Sequence, residues 1–86
     1  MARELLFLPD AWDDYVYWQE QDKKTLRRLN KLVEECRRHP AAGTGKPEPL
    51  KGDLSGYWSR RINGSSRLVY RWTNAQLVVI QCRGHY

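Results

Sequence analysis

Apolar residues recur along this chain with two different periods, and the change falls near its middle. Up to position 38 the spacing is helical. Leu26, Leu29, Val33 and Cys36 step by three and four, with Leu32 beside them, which marks the buried face of an amphipathic helix. Asp22 stands ahead of that face as a capping residue. Trp12, Tyr15, Trp18 and Gln19 show the same spacing one helix earlier, with Tyr17 on a neighbouring face. Asp10 is placed to cap this first helix, and Asp13 adds negative charge to its first turn. Before it, Glu4-Leu5-Leu6-Phe7-Leu8 is a short apolar run stopped by Pro9, and it reads as a strand. His39-Pro40 ends the second helix, because proline restricts the residue before it and lacks the amide proton.

From residue 54 the period is two. Residues 54–62, 66–72 and 77–82 read as strands, joined at Asn63-Gly64 and at residues 73–76. Asn-Gly between alternating residues is a strong hairpin signal. Leu68, Tyr70 and Trp72 share one face, while Arg67, Val69 and Arg71 share the other. On the preceding strand Trp58, Arg60 and Ile62 oppose Tyr57, Ser59 and Arg61. On the last strand Leu77, Val79, Gln81, Arg83 and His85 form one row, and Val78, Ile80, Cys82, Gly84 and Tyr86 form the other. Residues 77–82, rich in β-branched side chains, suit a central strand, antiparallel to 66–72. Residues 41–51 read as loop. The expected fold is α+β: two N-terminal helices packed on one face of a small, mainly antiparallel twisted sheet of four or more strands. The opposite face is basic and partly open.

Composition narrows this picture. Eighty-six residues suit one domain with one small core. Four tryptophans and five tyrosines supply large, rigid pieces for it. The net charge of +5 and pI near 9.5 favour a polyanionic partner: nucleic acid, an acidic protein or an anionic surface. The exposed face of the second helix carries Lys23, Lys24, Arg27, Arg28, Lys31, Glu34, Glu35, Arg37 and Arg38; it reads as a solvated face or as a polyanion surface. Cys36 and Cys82 are far apart and show no ligand motif, so they are expected as reduced, buried thiols. No run approaches membrane-spanning length and no leader pattern appears. A cytoplasmic protein without a membrane partner is expected.

The chemistry-bearing residues are few. Gly43 and Gly45 lack the spacing of a phosphate loop, and no Ser or Thr follows Lys46. Two histidines and two cysteines without ligand spacing offer no zinc site, so neither metal nor cofactor is expected. Glu48 lies between Pro47 and Pro49. Its backbone is therefore restrained, as an aimed carboxylate or as a rigid surface connection. His85 sits on the C-terminal tail, and Arg61, Arg67 and Arg83 surround these two in sequence. RNA cleavage without metal needs a base for the 2′-hydroxyl, an acid for the departing 5′-oxygen and cations on the phosphoryl oxygens. Arginine fits the last role because its fork matches phosphate and stays charged. Basic charge and strand aromatics would serve a non-catalytic RNA-binding module equally well.

Five segments together carry a resemblance. They are Trp12-Asp13-Asp14-Tyr15 with Tyr17-Trp18-Gln19; residues 45–51, Gly-Lys-Pro-Glu-Pro-Leu-Lys; residues 54–62, Leu-Ser-Gly-Tyr-Trp-Ser-Arg-Arg-Ile; Arg67-Leu68-Val69-Tyr70; and Cys82-Arg83 with His85-Tyr86. In this order the chain resembles the YoeB/Txe toxins of bacterial toxin–antitoxin modules, relatives of the RelE toxins with a microbial-ribonuclease-like fold. The resemblance implies an endoribonuclease that cuts mRNA in the ribosomal A site and so inhibits translation. It implies a cognate acidic antitoxin that blocks the site, operator DNA bound only by the toxin–antitoxin complex, and a possible homodimer. Residue by residue, it puts the general base on Glu48, the phosphate-binding arginine on Arg67, the acid on His85 and a substrate-positioning tyrosine on Tyr86. Basic contacts to RNA and ribosome fall on Lys51 and Arg61, and Arg83 stands with them. The chain departs from the family at Asn63-Gly64-Ser65-Ser66, where acidic residues and a histidine are usual; the catalytic set is untouched.

Three readings compete: the ribosome-dependent nuclease, a non-catalytic basic module that binds RNA or the ribosome, and a regulatory partner protein acting through its basic helix face. Glu48 discriminates, since a mere binder gains nothing from a carboxylate beside a phosphate site.

Overall fold

Leu8 and Pro9 decide how the chain turns from its first strand into its first helix. The structure, a computed structural model, describes residues 2–85. It places β1 at Glu4–Phe7 and α1 at Pro9–Gln21. Proline suits the first helical turn, where its missing N–H would have had no partner. Leu8 therefore takes the cap position, and the expected cap, Asp10, lies inside the first turn, where its charge still favours the helix end. Helix α2 spans Lys23–Arg38. Asp22 caps it as expected, accepting from the Thr25 amide at 3.0 Å and the Thr25 hydroxyl at 2.8 Å. Those bonds, the amide's foremost, hold the Asp22 carboxyl below its ordinary value.

The second half forms β2 (Glu48–Pro49), a single 3-10 turn (Gly52–Leu54), β3 (Trp58–Arg61), β4 (Arg67–Trp72) and β5 (Gln76–Gln81). Two expected boundaries move. Residues 54–57 are turn rather than strand: the Tyr57 amide bonds the Leu54 carbonyl, and Gly56 adopts φ +96°, a conformation that suits glycine. Residues 41–51, expected as loop throughout, contain the two-residue strand β2. The Asn63-Gly64 hairpin closes over residues 62–66. There the Asn63 side chain accepts from the amides of Ser65 and Ser66, so an asparagine-led turn shapes the connection.

The sheet order is β1-β5-β4-β3-β2. β1 runs parallel to β5, and every other pair is antiparallel. The helices cover one face. Ala11 and Trp18 of α1 and Leu29, Leu32, Val33 and Cys36 of α2 meet Leu68, Tyr70, Leu77 and Val79 of the sheet, with Ile62 and Cys82 completing the core. Trp58 and Trp72 seal its margin edge to face, ring centroids 5.3 Å apart. Both cysteines are free and buried. Burial pushes the Cys36 thiol up to about 11 and the Cys82 thiol to about 12. Among the described residues no helix is long and apolar enough to cross a membrane.

Strand β5 breaks the expected alternation. Val79 pairs with Tyr70, but Gln81 pairs with Val69, leaving Ile80 as the extra residue of a bulge. The row Leu77-Val79-Gln81 therefore does not stay in the core: Gln81 shares the face of Val69, and Cys82 is the residue that enters the core.

Candidate active site

Residues paired across neighbouring strands share a face of the sheet. Glu48 pairs with Ser59, Ser59 with Val69 and Val69 with Gln81. Leu68 and Tyr70, on either side of Val69, point into the core, so this row lies on the face away from the helices. Arg61, two residues beyond Ser59, pairs with Arg67 on the same face. With strands about 4.8 Å apart and residues rising about 3.3 Å, the Glu48 and Arg67 Cα atoms stand on the order of 12 Å apart. A carboxylate and a guanidinium on such stems can reach into the space between them, floored by the buried Ser59 and Val69.

The chain enters and leaves Glu48 under constraint. The Arg61 amide donates to the Gly45 carbonyl at 2.7 Å, and Lys46 takes a positive φ of 54°. Pro47 and Pro49 flank the carboxylate, and the Leu50 amide bonds the Tyr57 carbonyl at 2.9 Å. The Glu48 side chain itself is exposed, as are Lys51 and Arg61. The Arg67 guanidinium folds back over its own turn, with Nη1 donating to the carbonyls of Asn63 (3.1 Å) and Ser66 (3.2 Å).

The C-terminal tail is tied down from two sides. One helix turn apart on α1, Trp18 donates its indole N–H to the Cys82 carbonyl at 2.8 Å, and Asp14 accepts from the Cys82 amide at 3.0 Å. The Arg83 guanidinium lies over the Tyr17 ring, 3.6 Å from its centroid, a cation–π contact. The Gly84 amide donates to the Ser66 hydroxyl, and its carbonyl accepts from the Arg67 amide, both at 3.0 Å. His85, exposed, thus departs from beside the first residue of β4. Arg83 is turned toward α1. Tyr86 lies outside the described residues.

A buried cation stands behind this face. Arg60 is 0% exposed, and each of the five guanidinium N–H groups finds an acceptor. Nε meets the Tyr70 hydroxyl (3.2 Å); Nη1 meets Glu35 Oε1 (2.8 Å) and the Thr44 carbonyl (3.1 Å); Nη2 meets the carbonyls of His39 and Ala42. Tyr70 in turn donates to the Pro40 carbonyl at 2.6 Å. The Thr44 amide and hydroxyl both donate to Glu35. The Thr44 amide foremost, then its hydroxyl and Arg60, hold the Glu35 carboxyl below its ordinary value against the opposing effect of burial. Among the described residues no buried side-chain nitrogen or oxygen lacks a partner, and no group of three or more His, Cys, Asp or Glu side chains could hold a metal ion.

A family model described as "YoeB-like toxin of bacterial type II toxin-antitoxin system" matches residues 7–86, nearly the whole chain. This chain belongs to the YoeB-like toxins. A curated relative, "Toxin YoeB" of Streptomyces coelicolor, is 55% identical over 82 residues, covering 95% of this chain and 98% of that one. The solved YoeB dimer from Staphylococcus aureus superposes with a TM-score of 0.92 at 41% identity, covering both chains fully. The toxin in the heterotetrameric YoeB-YefM toxin-antitoxin complex from Staphylococcus aureus superposes at 0.89, again at 41% identity over all of both chains.

Several residues that build the site of this YoeB-like toxin escaped the sequence reading. Glu35 belongs to the helix face that reads as solvated or as a polyanion surface, yet it is half-buried against Arg60. Arg28 of the same face donates to the carbonyls of Ile62 and Arg61, and Arg37 to that of Arg3, so that face is partly structural. Asp14, Trp18 and Ser66 act on the tail from distant positions, for which one sequence holds no signal. Arg60 did leave one: it shares a row with Trp58 and Ile62, and a charge on a core row needs a partner.

Proposed function

We propose that this chain is an endoribonuclease toxin that cuts mRNA on the ribosome, using its own side chains and the RNA 2′-hydroxyl. The observation that carries the reading is the sheet face turned away from the helices, where Glu48 and Arg67 flank the row of Ser59 and Val69 and the tail bearing His85 is bonded to the Arg67 backbone. Membership of the YoeB-like toxins supports it.

In this mechanism the Glu48 carboxylate takes the 2′-proton. The freed oxygen attacks the adjacent phosphorus, and the bond to the 5′-oxygen breaks. His85 gives that oxygen a proton, and Arg67 stabilises charge gathering on the phosphoryl oxygens, with Tyr86 positioning the substrate. The products are a 2′,3′-cyclic phosphate, or its hydrolysis product, and a 5′-hydroxyl. Lys51 and Arg61, both exposed, contribute phosphate contacts, while Arg83 is held over the Tyr17 ring. No metal or cofactor is required by this scheme.

A cognate antitoxin neutralises the toxin, as expected for a member of this family. A net charge of +5 suits an acidic partner. Exposed Leu5, Leu6 and Trp12 give that partner apolar surface as well. The complex with antitoxin, rather than the toxin alone, binds the operator DNA, and the free toxin forms a homodimer like the Staphylococcus aureus relative. The toxin acts in the cytoplasm.

The deciding experiment is single-turnover cutting of ribosome-bound mRNA. General acid and base roles contribute roughly 10²–10⁴-fold in rate, so Glu48→Gln and His85→Gln should lose about that much while ribosome affinity stays within a few-fold. An mRNA carrying a 2′-deoxy nucleotide at the scissile position should resist the wild type. Unchanged cutting of that substrate overturns the mechanism. Unchanged cutting by Glu48→Gln returns the chain to a binding module whose carboxylate is idle.

A further inference from the structure

We propose that Arg60, Glu35 and Thr44 form a positioning device for Glu48: a buried ionic knot whose task is to fix the strap that carries the carboxylate. This rests on the base role of Glu48 given above.

Residues 39–45 form the strap between α2 and β2. They contain no helix or strand, so no regular ladder holds them. What holds them instead is Arg60. Its guanidinium collects carbonyls from the start, middle and end of the strap, at His39, Ala42 and Thr44. Tyr70 adds the Pro40 carbonyl. Glu35, from the last turns of α2, grips the strap's far end through both the amide and the hydroxyl of Thr44. Gly43 makes room for this: a Cβ there would fall on the Glu35 carboxylate, and its φ of +113° is a glycine conformation. Directly after Thr44, the Gly45 carbonyl takes the Arg61 amide at 2.7 Å. The residue beside Arg60 thus sets the register in which Glu48 meets Ser59.

A second argument comes from energetics. Burying a charge pair seldom stabilises more than apolar residues of the same volume would, because desolvation offsets the attraction. The knot is therefore poorly explained as a contribution to stability alone. It is well explained as a way to give an irregular segment one conformation, since a planar fork with five fixed donors accepts few arrangements of carbonyls. Catalytic groups demand such placement: a displacement of about 1 Å can cost on the order of 10²-fold in rate.

The test is a double-mutant cycle on the full chain with ribosome-bound mRNA. Glu35→Gln removes the charge but keeps an acceptor. Thr44→Val removes one hydroxyl contact and keeps the amide, so it remains informative if Glu35→Gln proves too unstable. Each is measured alone and combined with Glu48→Gln, with ribosome affinity and thermal midpoint recorded alongside. The expected result is a fall of roughly 10- to 100-fold in single-turnover rate for Glu35→Gln and a smaller fall for Thr44→Val. Both should show affinity within about twofold of wild type, and both should lose less than about twofold further in the Glu48→Gln background, because the group they position is already gone. Equal losses in both backgrounds, or wild-type rates for Thr44→Val and any folded Glu35→Gln, would overturn the proposal. If Glu48→Gln alone cuts at the wild-type rate, the base assignment fails, and the positioning proposal falls with it by a recognisably different result.

Discussion

Replacing Trp18 by phenylalanine probes the grip of α1 on the C-terminal tail. Trp18 is buried and donates its indole N–H to the Cys82 carbonyl at 2.8 Å. Phenylalanine keeps much of the apolar contact but has no donor, so the carbonyl is left dry and unpaired. A buried acceptor in that state costs about 1–3 kcal/mol. The volume of the missing ring half adds a void, worth on the order of 1 kcal/mol more. The expected loss is therefore about 2–4 kcal/mol, against a total stability of about 5–15 kcal/mol for a typical domain. For a chain of this length one kcal/mol moves the thermal midpoint by roughly 4–8 °C, so Trp18→Phe should lower it by at least about 8 °C. Thermal unfolding followed by far-UV circular dichroism measures this, and urea unfolding with an unchanged slope would show that the native state, not the denatured one, was affected. Asp14→Asn is the control, because asparagine still offers an oxygen to the Cys82 amide; its midpoint should move far less. A Trp18→Phe midpoint within about 3 °C of wild type would refute the reasoning, showing that the indole bond adds nothing to apolar packing.

Three further outcomes follow from the same structure. Glu35 has its folded value held below the ordinary 4.5, so between those two values the unfolded chain binds more protons; its stabilising contribution is present above the ordinary value and is lost as pH falls through the folded one. Urea midpoints measured across the acid range should therefore drop less steeply for Glu35→Gln than for wild type, and parallel curves would contradict this. Cys36 and Cys82, raised to about 11 and about 12 by burial, should resist iodoacetamide at neutral pH in the native chain and react fully in denaturant; rapid native labelling of either would show that the core opens readily. Cleavage should persist in a chelator selective for transition metals that leaves ribosomal magnesium in place, and full loss restored by zinc or manganese would overturn the metal-free scheme.

The periodic parts of the fold were legible in the sequence. Leu26, Leu29, Val33 and Cys36 face the core of a real α2, and residues 66–72 and 77–82 contain antiparallel neighbours, because burial imposes its period on whatever lies against it. The places that misled are those where a local interaction overrides the period. Pro9 took the helix start from Asp10, Gly56 turned the chain where a strand was expected, and Ile80 inserted one residue that sent Gln81 to the outer face and Cys82 inward. The candidate site was read only in part. Glu48, Arg67 and His85 stood out by residue type and by resemblance, and the sheet register supplies the shared face of the first two. Their supports did not stand out, because Arg60–Glu35, Trp18–Cys82 and Gly84–Ser66 join residues far apart in the chain, and a pairing of that range leaves no mark in one sequence.

The parallel pairing of β1 with β5 has a consequence for how each copy begins its existence. Among the described residues, β1 is the first strand of the sheet in chain order and its strand partner, β5, is the last. The ladder between them cannot close before residues 76–79 have been made. The two helices can form early, but their apolar face lacks Leu77 and Val79 to pack against until β5 arrives. Contacts of such range also close slowly, since most of the chain must be ordered before they contribute. A copy cut short before residue 76 has neither the interior strand nor the tail that bonds Arg67. Synthesis in chain order thus withholds the closed sheet until its last strand has been made.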